Sequence, residues 1–224
     1  KNAPAGTPDW VPTATIASPG STKSRETIDY IVGGDLPTLI WAANLAALEL
    51  HTPMWRVKKV GKPDLLVFDL DPGLPASIVE CCRVAEALQP LLDELGLEPV
   101  AKTSGGKGLQ IYAPVSGMTS VQTSELAKEL AERLEQDLPK LVVSRMTKAL
   151  RGGKVLIDWS QNNAAKTTVA PYSLRARAQP TVSTPVRWDE VENCKRATDL
   201  VFTAEDVLER VATSGDLFES VLPA

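Results

Sequence analysis

The sequence predicts an α+β domain, a sheet of short buried strands flanked by amphipathic helices. Three observations lead there. The run Leu65, Leu66, Val67, Phe68 is apolar throughout and ends at Asp69-Leu70-Asp71 before Pro72-Gly73, the pattern of a buried strand closed by a turn. Residues 76–96 and 124–138 each place apolar side chains at helical spacing. Strand-like and helix-like stretches mix without regular βα alternation.

In chain order, residues 1–34 are rich in Pro, Gly, Ser and Thr and read as a loop-rich leading segment carrying one or two edge strands, such as Thr13-Ala14-Thr15-Ile16. Asp35 stands where a helix N-cap belongs and Pro37 falls in the first turn, followed by Leu39, Ile40, Ala43, Ala46 and Ala47 at helical spacing. Residues 49–53 are extended, and Lys58-Lys59-Val60-Gly61-Lys62-Pro63 is a basic turn before the first acidic strand, which should stop at Asp69 or just past it. The helix over 76–96 contains Pro90, expected to bend or divide it, and has Gly96 at its C-cap. Strands at 98–102 and 109–113 flank Ser104-Gly105-Gly106-Lys107-Gly108. After the helix over 124–138 come a basic loop (145–154), a second acidic strand (155–159), a strand over 181–186 and a short helix opened by Thr203-Ala204-Glu205-Asp206.

Composition narrows the function. The net charge of −4 excludes a protein coated in basic charge, yet a local basic groove on an acidic body can still meet nucleic acid. Cys81 and Cys82 are adjacent and Cys194 stands alone; an odd count without CxxC spacing offers neither a disulfide framework nor a zinc site. No apolar run approaches the roughly 18 residues of a membrane span, and no secretory signal is present, so the expectation is a cytoplasmic protein with no membrane role. The chain opens at Lys1, which suits a domain excised from a longer one.

The chemistry centres on carboxylates. In an extended strand Asp69 and Asp71 share one face, where two like charges repel, and a divalent cation is the simplest compensation. A lone Asp-x-Asp is commonly only a turn former. What raises its interest is a third acid in the same setting, Asp158 after Val155-Leu156-Ile157. We expect Asp69, Asp71 and Asp158 to hold metal ions for phosphoryl transfer. The glycines between Ser104 and Gly108 let backbone N–H groups approach an anion, with the Ser104 hydroxyl and the Lys107 charge beside them; the spacing is not that of a Walker A loop, and a plain hairpin is the competing reading. Arg151, Lys154, Lys166, Arg175 and Arg177 flank Asp158 in sequence and suit phosphate, against the ordinary alternative of a solvated basic loop. His51, the only histidine, and Trp41, Trp55, Trp159 and Trp188 read first as structural residues, and Asn162 and Asn163 as turn formers.

Taken in order, Glu49-Leu50-His51, Leu66-Val67-Phe68-Asp69-Leu70-Asp71-Pro72, Lys102-Thr103-Ser104-Gly105-Gly106-Lys107-Gly108-Leu109, Val155-Leu156-Ile157-Asp158-Trp159, Pro171-Tyr172-Ser173-Leu174-Arg175-Ala176-Arg177 and Val182-Ser183-Thr184-Pro185 resemble the polymerase domain of bacterial DNA ligase D and its stand-alone relatives, in the archaeo-eukaryotic primase superfamily. The resemblance covers residues 1–224 as one primase-polymerase catalytic domain. It implies an RRM-like catalytic sheet, two divalent ions (Mn2+ or Mg2+), a nucleoside triphosphate substrate and nucleotidyl transfer to a primer 3′-OH, with ribonucleotides preferred. By position, Asp69, Asp71 and Asp158 would ligate metal; Ser104, Gly106, Lys107, Arg151 and Arg175 would hold the triphosphate; His51 would lie near the incoming nucleotide. Many relatives carry His at Gln110 and Arg at Gln161, so these glutamines supply hydrogen bonds without charge. The implied partners are primer-template DNA with gaps or broken ends, a DNA ligase and end-binding repair proteins, in a nucleoid-associated setting. The family carries further residues ahead of the position of Lys1, among them a base-stacking aromatic and lysines for a DNA 5′-phosphate. That leaves open a second reading, a nucleotide- or DNA-end-binding module with little polymerase activity. End joining and excision-repair gap filling are both open on these residues.

Overall fold

A computed structural model describes residues 3–17 and 26–222; parts of the leading segment at 1–2 and 18–25, and the last two residues, lie outside the described ones. The chain forms two compact units, Lys1–Leu48 and Glu49–Ala224. In the first, β1 (Thr13–Ala17) pairs antiparallel with β2 (Thr27–Ile31). Helix α1 (Leu36–Asn44) follows, its first turn capped by the Asp35 carboxylate accepting from Thr38 N–H at 2.8 Å.

The second unit carries the chemistry. After β3 (His51–Thr52) come β4 (Leu65–Pro72), α2 (Ile78–Asp93), β5 (Val100–Thr103), β6 (Leu109–Pro114) and α3 (Ser120–Asp137). Next are β7 (Val142–Val143), β8 (Val155–Asp158), β9 (Thr168–Val169), β10 (Leu174–Arg175), β11 (Thr181–Val182), β12 (Pro185–Val186), α4 (Trp188–Glu192) and α5 (Ala204–Ser214). Six strands build the central sheet in the order β12-β5-β6-β4-β8-β7, antiparallel except for the β7–β8 pair. β3 pairs with β9 and β10 with β11 as separate small ribbons.

The two-residue period of β4 sorts its side chains between two worlds. Leu66, Phe68 and Leu70 are fully buried against α2 (Cys81, Cys82, Ala85, Leu88, Leu92) and α3 (Ala127, Leu130, Ala131, Leu134). Each such side chain contributes about 1.5–3 kcal/mol by leaving water. Val67, Asp69 and Asp71 face the other way; Val67 packs with Met54, Tyr112, Phe218 and Val221, while the two acids open onto a cleft. The helices therefore clamp one face of the sheet and leave the other for chemistry.

Several local expectations are corrected. β4 continues through Pro72 because β8 pairs along it as far as Val155. Pro90 does not divide α2: it lies on the exposed side while Leu88, Leu91 and Leu92 hold the opposite side in the core. α3 begins a turn earlier than its apolar pattern, at a capping box formed by Thr119 and Gln122. Residues 181–186 are two strands in different sheets, because Ser183 and Thr184 turn to bond Thr103: Ser183 Oγ donates to its carbonyl at 2.9 Å and Thr184 N–H to its hydroxyl at 3.1 Å.

Asn162 is not a mere turn former. β8 leaves β4 after the Asp69–Asp158 pair and coils into a 3-10 turn, Trp159–Asn162. The buried Asn162 amide then takes the place of a strand neighbour: Val67 N–H donates to Oδ1 at 2.9 Å and Nδ2 donates to the Val67 carbonyl at 2.7 Å. Asn162→Ala leaves both buried backbone groups unpaired and is expected to cost about 2–4 kcal/mol, read as a lower urea midpoint at unchanged slope.

Candidate active site

The cleft encloses ≈ 370 Å³ and is lined by Asp69 and Asp71 from β4, His51 and Thr168–Val169 from the β3–β9 ribbon, residues of the β5–β6 turn, Gln110, Gln161, Arg175 and Arg177. Its size falls in the range of small-molecule sites. Acids, the glycine turn and two arginines thus share one cleft.

Register brings the distant carboxylates together. Asp69 lies opposite Gln110 on one side and opposite Asp158 on the other, so all three side chains share the open face with Asp71. Asp69 sits deep, and burial, then the neighbouring Asp71, with Asp158 adding to both, push its carboxyl up to about 7 despite the Gln110 hydrogen bond. Asp71 opens further to solvent, and its carboxyl is raised by burial and by Asp158, with Arg151 opposing. Among the described residues no three His, Cys, Asp or Glu side chains are placed to enclose an ion. Asp158 turns its Oδ1 to Ser160 N–H (3.0 Å) and hydroxyl (2.6 Å), and its Oδ2 to Gln161 Nε2 (2.9 Å). Local donors thus engage both of its oxygens.

The donor set nonetheless fits a divalent cation in kind. It offers hard carboxylate oxygens on one sheet face, where burial first and the repulsion of Asp71 second raise the Asp69 carboxyl, and a cation relieves both. Asp69 and Asp71 would be the primary ligands, with Asp158 joining by exchanging its contacts to Ser160 and Gln161.

The glycine turn is shaped by its neighbours. Gly105 has φ +64, and a Cβ there would strike the Arg175 side chain and the backbone between Val182 and Ser183. At Gly108 a Cβ would run into the Leu70 carbonyl, so β6 can lie against the acid-bearing end of β4 only without a side chain there. The Ser104 hydroxyl accepts from the N–H groups of Gly106 and Gly108, each at 3.2 Å, which folds the turn around itself. Lys107 stands exposed on the cleft rim. Arg175 is half-buried, its Nε 3.5 Å from Glu49 Oε1, and the other oxygen of Glu49 lies 3.6 Å from His51 Nε2; one carboxylate thus tethers two cleft residues.

Of the basic residues singled out from sequence, Arg175 and Arg177 line the cleft. Arg151 stands apart from that lining, on the side of Asp71, with its guanidinium donating to the Met146 carbonyl at 2.7 Å. Lys154 donates to the Pro139 carbonyl at 2.6 Å, and Arg145 pairs with Glu135, so most of that loop is the ordinary solvated one. Three tryptophans are tied into the scaffold through their indole N–H: Trp55 to Ala164, Trp159 to Ser144 and Trp188 to Pro99.

Sequence reasoning passed over Lys102, Glu49 and Thr167 as site residues. Lys102 is fully buried beneath the cleft. Burial pushes its ammonium down to about 7, against the pull of Asp69. Its signal was the hairpin itself: pairing across the turn puts Lys102 opposite Gln110, on the face of the acids.

The fold is of the archaeo-eukaryotic primase type. The polymerase domain from Mycobacterium tuberculosis Ligase D, solved in complex with DNA, matches 99% of this chain and 77% of its own length with a TM-score of 0.90 at 40% identity. The family model described as LigD, primase-polymerase domain matches residues 1–218, and the chain belongs to that family. The multifunctional non-homologous end joining DNA repair protein LigD of M. tuberculosis is 43% identical over 95% of this chain. The bifunctional non-homologous end joining protein LigD of Bacillus subtilis is 33% identical over 84%. The chain spans 28% and 30% of the lengths of these two relatives. No described helix is long and apolar enough to cross a membrane.

Proposed function

We propose that this domain adds nucleotides, ribonucleotides by preference, to a primer 3′-OH at gaps or broken DNA ends, with two divalent ions, Mn2+ or Mg2+, held by Asp69, Asp71 and Asp158. One observation carries the reading: two acids, Asp69 and Asp71, and phosphate-suited groups, Ser104, Lys107, Arg175 and Arg177, line one cleft. That combination is what a metal–triphosphate complex requires. Family membership supports the nucleotidyl-transfer class.

When bound, the ions supply charge neutralisation at the triphosphate and acidify the attacking hydroxyl. Lys107 and Arg175 receive phosphate oxygens, with the Ser104 hydroxyl and the Gly106 N–H at the turn of the cradle. Gln110 holds Asp69 through a 2.9 Å hydrogen bond and Gln161 does the same for Asp158. His51, on the β3 edge of the cleft, faces the nucleotide. Arg151 acts on the Asp71 side, in the approach to the phosphates. By kinship with LigD, the work is that of end joining near the nucleoid, beside a DNA ligase and end-binding repair proteins.

A second reading, a nucleotide- or DNA-end-binding module without extension, draws on one observation: both oxygens of Asp158 are engaged by local donors. Primer extension on gapped and broken-ended DNA with Mn2+, run beside a nucleotide titration, separates the two. Extension that favours GTP or ATP over their deoxy forms is the expected result. Binding without extension establishes the module, and no Mn2+-dependent binding removes both readings.

A further inference from the structure

We infer that Lys102 is a positioning residue of the acid site: from the neighbouring strand, on the same face of the sheet, it fixes which end of the Gln110 amide meets Asp69. The inference rests on the metal–nucleotide reading above and concerns how the first acid is held.

Lys102 has no exposed surface, an unusual place for a lysine. Its Nζ donates to Gln110 Oε1 at 2.5 Å and to Ser183 Oγ at 2.6 Å. Ser183 in turn donates to the Thr103 carbonyl, and the ammonium lies 5.5 Å from the centre of the Tyr112 ring. Among the described residues no carboxylate hydrogen-bonds this ammonium; the negative charge it serves is Asp69, one side chain further on. Between them lies Gln110, itself buried. Gln110 Oε1 accepts from Lys102 and, at 3.3 Å, from the Tyr112 hydroxyl, which is anchored to Thr168 Oγ1 at 2.8 Å. With two donors on the oxygen, the amide has one orientation left, Nε2 toward Asp69, where it donates at 2.9 Å. An amide free to turn would put its oxygen against the carboxylate and repel it. Lys102 thus makes Gln110 an obligate donor to Asp69 and fixes the direction of the remaining Asp69 oxygen in the cleft. A buried cation is costly, and this chain of partners is what it sustains.

The sign of one measurement separates positioning from charge. If Lys102 acted only as a nearby positive charge, removing it would tighten cation binding. Acting through Gln110, its removal loosens binding. Mn2+ dissociation constants of the whole chain, by calorimetry or by the free-ion paramagnetic resonance signal, are to be measured for wild type, Lys102→Met, Gln110→Met and the double variant. The expected result is weakening of about fivefold or more in each single variant and no further loss in the double. Nucleotide addition should follow, with kcat falling and the nucleotide KM nearly unchanged. Ser183→Ala, in place of Lys102→Met, runs the same cycle at smaller amplitude should the buried methionine fail to fold. Tighter Mn2+ binding in Lys102→Met, or additive losses in the double variant, overturns the inference and leaves the proposed function standing. A wild-type chain that binds no Mn2+ overturns both.

Discussion

Replacing Asp69 and Asp71 together by alanine is expected to lower the rate of nucleotide addition by at least about 1000-fold, the scale of losing an electrostatic or metal-holding group at a phosphoryl-transfer site. The fold should survive. Both side chains point away from the helix-covered face, and neither contributes to the clusters around Phe68 or Tyr112. Removing two acids that repel each other and Asp158 relieves strain in the metal-free protein. The check is single-turnover primer extension beside a thermal melt in EDTA. A variant melting at or above the wild-type temperature that no longer extends primer supports the assignment, and one extending at near wild-type rate refutes it.

The second large effect is on stability. The Asp69 carboxyl is raised from 3.8 to about 7 in the fold, chiefly by burial and by Asp71. The folded protein therefore holds this proton more tightly than the unfolded chain does. Its contribution is fully present below the unfolded value and is lost as pH rises through about 7. In EDTA the melting temperature should rise as pH is lowered from 8 to 6. This window lies above the range where protonation begins to undo acids held low in the fold, such as Glu190; burial raises that carboxyl, but hydrogen bonds and charge from Arg210 and Arg187 together outweigh the rise. Asp69→Asn should abolish most of that slope and stabilise the metal-free protein at pH 8 by about 1–4 kcal/mol, the upper end being the full displacement at about 1.4 kcal/mol per pH unit. Excess Mn2+ should reverse the ranking, because only the wild-type carboxylate gains from the cation. A pH-independent difference between the two proteins would show that Asp69 is ionised without cost.

Much of the fold was legible because it follows from periods and caps. The apolar run before Asp69 needed only alternation to show that Phe68 and Leu70 turn inward while Asp69 and Asp71 turn outward together. α2 and α5 announce themselves by Ser77 with Glu80 and by Thr203 with Asp206, both capping boxes. The same signal at Thr119 and Gln122 sets the start of α3, although the apolar pattern alone begins later. The split at residues 181–186 was not legible, since it depends on Ser183 and Thr184 finding Thr103 some eighty positions away. Nor was the true state of the basic loop: composition cannot tell Arg175 in the cleft from Lys154 tied to Pro139.

By itself the sequence determined that Asp69 and Asp71 share one face of a strand while Phe68 and Leu70 take the other, because side-chain direction in a strand is a local property. Only the tertiary structure decided how these groups are held. Register places Asp158 beside Asp69, and local donors keep its oxygens from closing the cluster. A lysine no exposed-surface rule would bury ends up beside Gln110. Such outcomes depend on desolvation and on partners distant in the chain, and these energies exist only once the sheet has formed.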